Sequence, residues 1–189
     1  MKIQNPSEVE LAIDTRELGH VSNPLKWFRT RPSAGHYAYR GNTMKGKAQV
    51  FLRRGTVFVT SNYQTDSGFW VEQEPYLVVS EADTSRLSAY VLEALDASRL
   101  GVPNPDDPNS LASSRLPELA GVRNYSTFMK GTIAVDVSRS EQGSVRVVPM
   151  RNGGSRKGFQ FLRDLAIEVG PASKLNLSHA LEKALKDAD

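Results

Sequence analysis

The stretch Gly55-Thr56-Val57-Phe58-Val59 has a counterpart in Gly143-Ser144-Val145-Arg146-Val147, and this correspondence indicates an internal repeat. Each segment starts at a glycine and continues with β-branched residues, which is typical of a strand that leaves a tight turn. The match extends through residues 44–95 and 129–185. Its members are Met44-Lys45-Gly46, Gly68-Phe69, Leu87-Ser88 and Ala94-Leu95, with counterparts Met129-Lys130-Gly131, Gly158-Phe159, Leu177-Ser178 and Ala184-Leu185. A repeat of this length predicts two related structural units.

These units cover about residues 43–98 and 127–187, and a Pro-rich connector at 99–126 joins them. The predicted strands are Ala48–Arg53, Thr56–Ser61, Phe69–Glu72, Tyr76–Ser80, Thr132–Ser138 and Ser144–Met150, with one bent or two short strands in Phe159–Val169. The predicted helices are Thr84–Ser98, N-capped by Asp83, and Leu177–Lys186. We therefore expect one α+β domain over residues 1–189, with a mostly antiparallel sheet built from two related β-rich units, each closed by one helix. The units could join edge to edge or pack as a pseudo-twofold pair.

Composition excludes several classes of protein. The 189 residues contain no cysteine, which excludes disulfides, thiolate metal sites and a cysteine nucleophile. No apolar run approaches the roughly 20 residues that a membrane-spanning helix needs. Residues 1–10 have no apolar core after Lys2, so we expect no signal peptide and a cytoplasmic protein.

No residue pattern indicates catalysis, a metal site or a cofactor. The histidines His20, His36 and His179 are far apart in sequence and have no metal-ligand spacing. The glycine-rich loop 152–158 lacks the lysine followed by serine or threonine that a phosphate-binding loop needs. No serine lies in a Gly-x-Ser-x-Gly motif. We therefore predict a protein that is not an enzyme.

Acidic pairs offer one candidate contact surface. Glu72 and Glu74 would point to the same side of a strand, and Asp106 and Asp107 lie in the connector. Paired carboxylates of this kind form a surface that can receive a basic partner. The connector itself is interpreted either as a binding element or as a plain tether.

Nucleic-acid binding is the alternative. The formal net charge is +3, and basic residues concentrate in turns such as 45–54 and 151–157. The segment Trp27-Phe28-Arg29-Thr30-Arg31, with Tyr37 and Tyr39, could stack bases and hold phosphates. No recognised RNA-binding motif accompanies these residues, so binding of nucleic acid is the less favoured hypothesis.

Three segments resemble a known family. They are Leu92-Glu93-Ala94-Leu95-Asp96-Ala97-Ser98-Arg99, running into Gly101-Val102-Pro103 and Pro105-Asp106; Tyr125-Ser126-Thr127-Phe128-Met129-Lys130-Gly131; and Lys157-Gly158-Phe159. Together they resemble the immunity proteins of bacterial contact-dependent growth inhibition systems. The resemblance implies a cytoplasmic inhibitor that binds and neutralises the C-terminal toxin domain delivered by a neighbouring cell, as a heterodimer. Such toxins are commonly nucleases, often tRNases. The resemblance implies no catalytic residues, and Glu72, Glu74, Asp106 and Asp107 are our predicted toxin contacts.

Overall fold

The computed structural model describes residues 44–104, 114–171 and 174–188. Within these ranges the strands are β1 (Met44–Arg53), β2 (Thr56–Thr65), β3 (Trp70–Ser80), β4 (Arg99–Val102), β5 (Thr132–Ser140), β6 (Ser144–Asn152), β7 (Phe159–Phe161) and β8 (Ile167–Pro171). The α-helices are α1 (Thr84–Ala97), α2 (Leu116–Leu119), α3 (Tyr125–Met129), α4 (Gly154–Lys157) and α5 (Lys174–Asp187), and a 3₁₀ turn spans Arg163–Leu165. Several residues named in the sequence predictions lie outside the described residues, among them Trp27, Tyr37, His20, His36, Asp106 and Asp107.

The strands form one mostly antiparallel sheet in the order β3-β2-β1-β5-β6-β7. Strand β8 also pairs with β6, and β4 adds a short parallel pairing to β2. Together with the helices, this sheet confirms the predicted α+β class.

The centre of the sheet lies between β1 and β5, which pair antiparallel from Arg53–Thr132 to Met44–Ser140. A hairpin leads outward from this seam on each side, and α1 packs on β1 to β3 while α5 packs on β5, β6 and β8. The segments at 43–98 and 127–187 therefore meet edge to edge, while their being two related units stays a prediction. Their matched turns both place a glycine at positive φ, +76° at Gly55 and +86° at Gly143. Met44–Gly46, however, lies inside β1, whereas the matching Met129–Gly131 precedes β5. A common origin of the two units stays a prediction.

One side of the sheet, which we call the helix face, packs against α1 and α5. Its core is aliphatic and consists of alternate strand residues with one stripe from each helix. The fully or nearly fully buried members are Ala48, Val50, Leu52, Val57, Val59, Val79, Leu87, Val91, Ala94, Leu95, Val135, Val137, Val145, Val147, Val169, Leu177, Ala180, Leu181, Ala184 and Leu185.

The opposite side, which we call the connector face, packs against residues 114–130. Phe51 and Phe58 of the sheet meet Phe128 of α3 edge-on, with ring centroids 5.7 and 5.8 Å apart. Leu116 of α2 is completely buried in the same cluster. The described end of the connector is therefore part of the fold and not a plain tether.

Three local predictions need correction. Strand β3 is continuous through Pro75, because β3 is an edge strand where a missing N–H costs no ladder bond, and a register shift opposite Thr60 and Ser61 absorbs the irregularity. The connector contains helices, since Pro117 lies in the first turn of α2, where proline is tolerated. The loop at 151–158 contains one helical turn, α4.

Candidate interaction surface

The two predicted contact residues of β3 have different environments. Glu74 is exposed and lies 2.9 Å from the guanidinium of Arg115, just before α2. Glu72 is half-buried, and its carboxylate accepts a hydrogen bond of 2.6 Å from the Ser114 hydroxyl. Each carboxylate therefore contacts a neighbouring residue of the connector. This is how residues 114 and 115 are held against the edge strand.

The Glu72 carboxyl has a raised pKa because it is buried. Burial raises its pKa above the ordinary value of 4.5, while hydrogen bonds from the Ser114 and Tyr76 hydroxyls oppose that rise. Burial also raises the pKa of Tyr76, and the negative charge of Glu72 adds to that effect. The pKa of Tyr125 is raised by burial and by the same charge. The charge of Glu72 therefore acts on Tyr76 of β3 and on Tyr125 of α3.

Arg115 is the centre of the exposed part of this surface. Besides pairing with Glu74, it lies 3.8 Å from Glu118 and stacks over the Tyr76 ring at 5.7 Å from the centroid. We call Glu72, Glu74, Tyr76, Arg115 and Glu118 the β3–α2 surface. Two carboxylates lie beside Arg115, and a third, that of Glu72, contacts the preceding residue Ser114. The surface is therefore locally acidic although the chain is basic overall.

Sequence reasoning found Glu72 and Glu74 but missed Ser114, Arg115 and Tyr76. Arg115 is 41 residues from its partner Glu74, and no local pattern links them. The surface exists because Leu116 is buried against the sheet, which brings the two preceding residues to β3. Asp106 and Asp107 lie outside the described residues, so their position relative to this surface stays a prediction.

Two basic residues of β1, Lys47 and Arg53, are largely buried. Lys47 forms an ion pair of 2.8 Å with Asp136, and the side chains are 11% and 8% exposed. Trp70 from one edge of the sheet and Phe161 from the other lie over its ammonium group, at 5.7 and 5.4 Å to the ring centroids. Arg53 is also buried and donates to the carbonyl of Lys130. Neither side chain is exposed as a contact for phosphate on the surface of the protein.

Metal and membrane sites find no support in the described ranges. His179 is exposed on α5, and no group of three or more histidine, aspartate or glutamate side chains with metal-binding geometry occurs there. None of the helices in residues 44–104, 114–171 and 174–188 has the length and apolar character needed to cross a membrane.

Comparison with known proteins finds solved structures that have a similar fold. No protein-family model and no curated protein matches the chain. Among similar solved structures, a protein of unknown function from Neisseria meningitidis superposes with a TM-score of 0.62 and 14% identity, over 76% of this chain and 95% of that one. A chain of the CdiA-CT/CdiI toxin and immunity complex from Yersinia pseudotuberculosis superposes with a TM-score of 0.59 and 16% identity, over 78% and 99%. At such low identity these similarities concern the fold.

Proposed function

We propose that this chain is an immunity protein of a contact-dependent growth inhibition system. It acts in the cytoplasm by binding the C-terminal domain of its cognate toxin, as a heterodimer, and it catalyses no reaction. The observation that carries the proposal is the fold similarity to a chain of a toxin and immunity complex over 78% of the molecule. The resemblance of three sequence segments to the same family adds independent support.

The positions of those segments agree with a role in the scaffold. Leu95 is a buried residue of α1, and Phe128 and Met129 are buried residues of α3. These residues stabilise the fold and carry no reactive group, which is expected where the function is presentation of a surface. The toxin is, on the same resemblance, a nuclease, with a tRNase as the first choice.

The proposed contact residues are Glu72, Glu74, Asp106 and Asp107, to which the β3–α2 surface adds Arg115 and Tyr76. Arginine and tyrosine are the residue types that dominate binding energy at protein interfaces when they become buried. Exposed carboxylates around them attract a basic partner and orient it. A specific complex of this type buries on the order of 1,600 Å² in total. Nuclease domains that bind phosphates are basic, so a locally acidic surface is the suitable counterpart.

Coexpression with the adjacent toxin gene is the primary test. Cells that carry the toxin survive when this chain is present and die when it is absent, and the two proteins copurify as a one-to-one complex. Equal killing with and without the chain would show that the proposal is wrong.

A matched set of variants locates the contact surface. Glu74→Arg and Arg115→Ala weaken the complex, because each removes a charge or an anchor from the β3–α2 surface. Glu93→Arg is the control, since Glu93 is exposed on α1 and has the same charge as Glu74. If all three variants bind the toxin as well as the parent chain, another surface makes the contact while the function stands.

RNA binding through basic turns is the alternative, and the buried positions of Lys47 and Arg53 weaken it. Filter binding across a salt series separates the two functions. Phosphate contacts give an affinity that falls steeply with salt concentration, whereas an inhibitor that binds only its toxin shows no such binding.

A further inference from the structure

An open cleft lies on the connector face near the end of β1, whereas Lys47 lies near the start of that strand. It has a volume of about 620 Å³ and lies between α3, the start of β5, the end of β6, α4 and the residue that follows α5. The lining residues are Ser126, Met129, Lys130, Gly131, Thr132, Ile133, Arg151, Asn152, Gly154, Ser155 and Ala188. Sites for small ligands typically have volumes of about 300–1,000 Å³. The cleft is therefore large enough for a ligand the size of a nucleotide.

Charge in this cleft is of one sign. Lys130 and Arg151 line it and are exposed, and none of its described lining residues is acidic. Ser126 and Ser155 also line the cleft. Ammonium, guanidinium and hydroxyl groups are donors to an anion. The cleft therefore favours a ligand that has several acceptor oxygens and a negative charge.

A third cation lies beneath the cleft. Arg53 is 6% exposed, pairs in register with Thr132, and donates to the carbonyl oxygen of Lys130. In the part of the chain that the structure describes, no carboxylate lies within ion-pair distance of Arg53. A buried guanidinium without an opposite charge is costly, and its field extends into the adjacent cleft. An anion bound above it would compensate that charge.

Hydrogen bonds of Asn152 hold the segments that line the cleft in position before any ligand binds. The Asn152 side-chain amide donates to the carbonyls of Met129 and Thr132, at 2.5 and 2.8 Å. Its Oδ1 accepts from the Gly154 N–H at 2.8 Å. One side chain thus connects the segment before β5 to the turn that begins α4. A preformed site loses less entropy when it binds a ligand.

We propose that this cleft binds the phosphate group of a small phosphorylated molecule no larger than a nucleotide. Phosphate fits better than a single carboxylate, because its additional charge and oxygens can use Lys130, Arg151 and the hydroxyls together. The lining of the cleft shares no residue with the β3–α2 surface. Its ligand is therefore additional to the toxin.

Calorimetric titration of the full chain tests the site with defined probes. Adenosine monophosphate binds saturably at low salt, inorganic phosphate competes with it, and adenosine does not bind. The double variant Lys130→Gln/Arg151→Gln loses affinity by about tenfold for each cation removed. Both side chains are exposed, so this variant keeps the melting temperature of the parent chain. Arg99→Gln is the control, because Arg99 is an exposed arginine on β4 and does not line the cleft.

Several results would overturn the site. They are absence of saturable binding of both adenosine monophosphate and phosphate, equal affinity for adenosine, and unchanged affinity in the double variant. Binding that occurs only with long RNA would assign the charge to an extended nucleic-acid surface and also contradict the proposal. Toxin protection is measured separately, so failure of the cleft leaves the immunity function untouched.

Discussion

The helix face and the connector face of one sheet are built by different means. On the helix face, aliphatic residues repeat at strand and helix periods, and each helix follows directly on the strands it covers. On the connector face, aromatic rings and the Glu72 carboxylate pack against residues 114–130, which are distant in sequence from β1 to β3, and a buried ion pair joins β1 to β5. Local periodicity therefore accounts for the first face, whereas long-range contacts create the second, and both proposed binding sites lie along the second.

The largest expected effect tests whether the connector cover is part of the core. Phe128→Ala should lower the free energy of unfolding by about 3–5 kcal/mol, because it removes a fully buried ring that meets Phe51 and Phe58. Leu181→Ala, in the helix face, should cost about 2–5 kcal/mol. Urea denaturation measures both. A cost below about 1 kcal/mol for Phe128→Ala alone would make the connector a removable cover.

The buried ion pair is the next largest contribution. Asp136→Asn should destabilise the chain by about 3 kcal/mol, since it leaves the Lys47 ammonium buried without its counter-charge. The double variant Lys47→Met/Asp136→Leu should recover most of that loss, because no charge then remains buried. The exposed pair of Arg115 and Glu74 is the matched comparison, and Arg115→Ala should cost less than about 1 kcal/mol of stability. Equal costs for Asp136→Asn and Arg115→Ala would contradict the difference in burial.

Prediction from sequence succeeded where neighbours in the fold are neighbours in the chain. The helix predicted at Thr84–Ser98 is observed at Thr84–Ala97, and Asp83 caps it by accepting from the Arg86 N–H at 3.1 Å. Gly55 takes the expected positive φ at the β1–β2 turn. In these places, spacing and turn chemistry determine the structure within a few residues.

Prediction from sequence failed where a segment or side chain is positioned by residues that are distant from it in the chain. The four-residue strand β4 has no alternation of its own and forms only because β2 extends past β1 and leaves an edge free. The exposed Arg115 gives no sign that it will meet Glu74 and Tyr76. One local signal was available and unused, since Asn124 accepts from the Thr127 N–H as an N-cap of α3.

Helix caps offer a smaller comparison of the two faces. Asp83→Ala at α1 and Asn124→Ala at α3 should each lower the free energy of unfolding by about 1 kcal/mol, because each leaves a first-turn N–H without its acceptor. Thermal or urea unfolding measures both. A much larger loss for Asn124→Ala would indicate that the cap also holds Phe128 in place. No loss for either variant would contradict the assigned caps.

The smallest effect is a pH dependence confined to the connector face. Burial raises the pKa of Glu72 above 4.5. There is therefore a range of pH in which the folded chain keeps the proton of this carboxyl although the unfolded chain has already lost it. The stability contributed by this carboxyl is thus fully present below the unfolded pKa and is lost as the pH rises through the folded one. Glu72→Gln keeps an acceptor for Ser114 and removes the titration.

The melting temperature of Glu72→Gln relative to the parent should therefore rise as the pH increases above 4.5. Glu74→Gln is the matched control on the same strand, because that carboxyl is exposed, and it separates burial from a general effect of removing a charge. A difference that is constant with pH would show that the hydrogen bonds from Ser114 and Tyr76 cancel the effect of burial. A difference that falls as the pH rises would show that these hydrogen bonds stabilise the Glu72 carboxylate more than burial disfavours it. The connector would then be held most firmly by an ionised Glu72, and acid would release it.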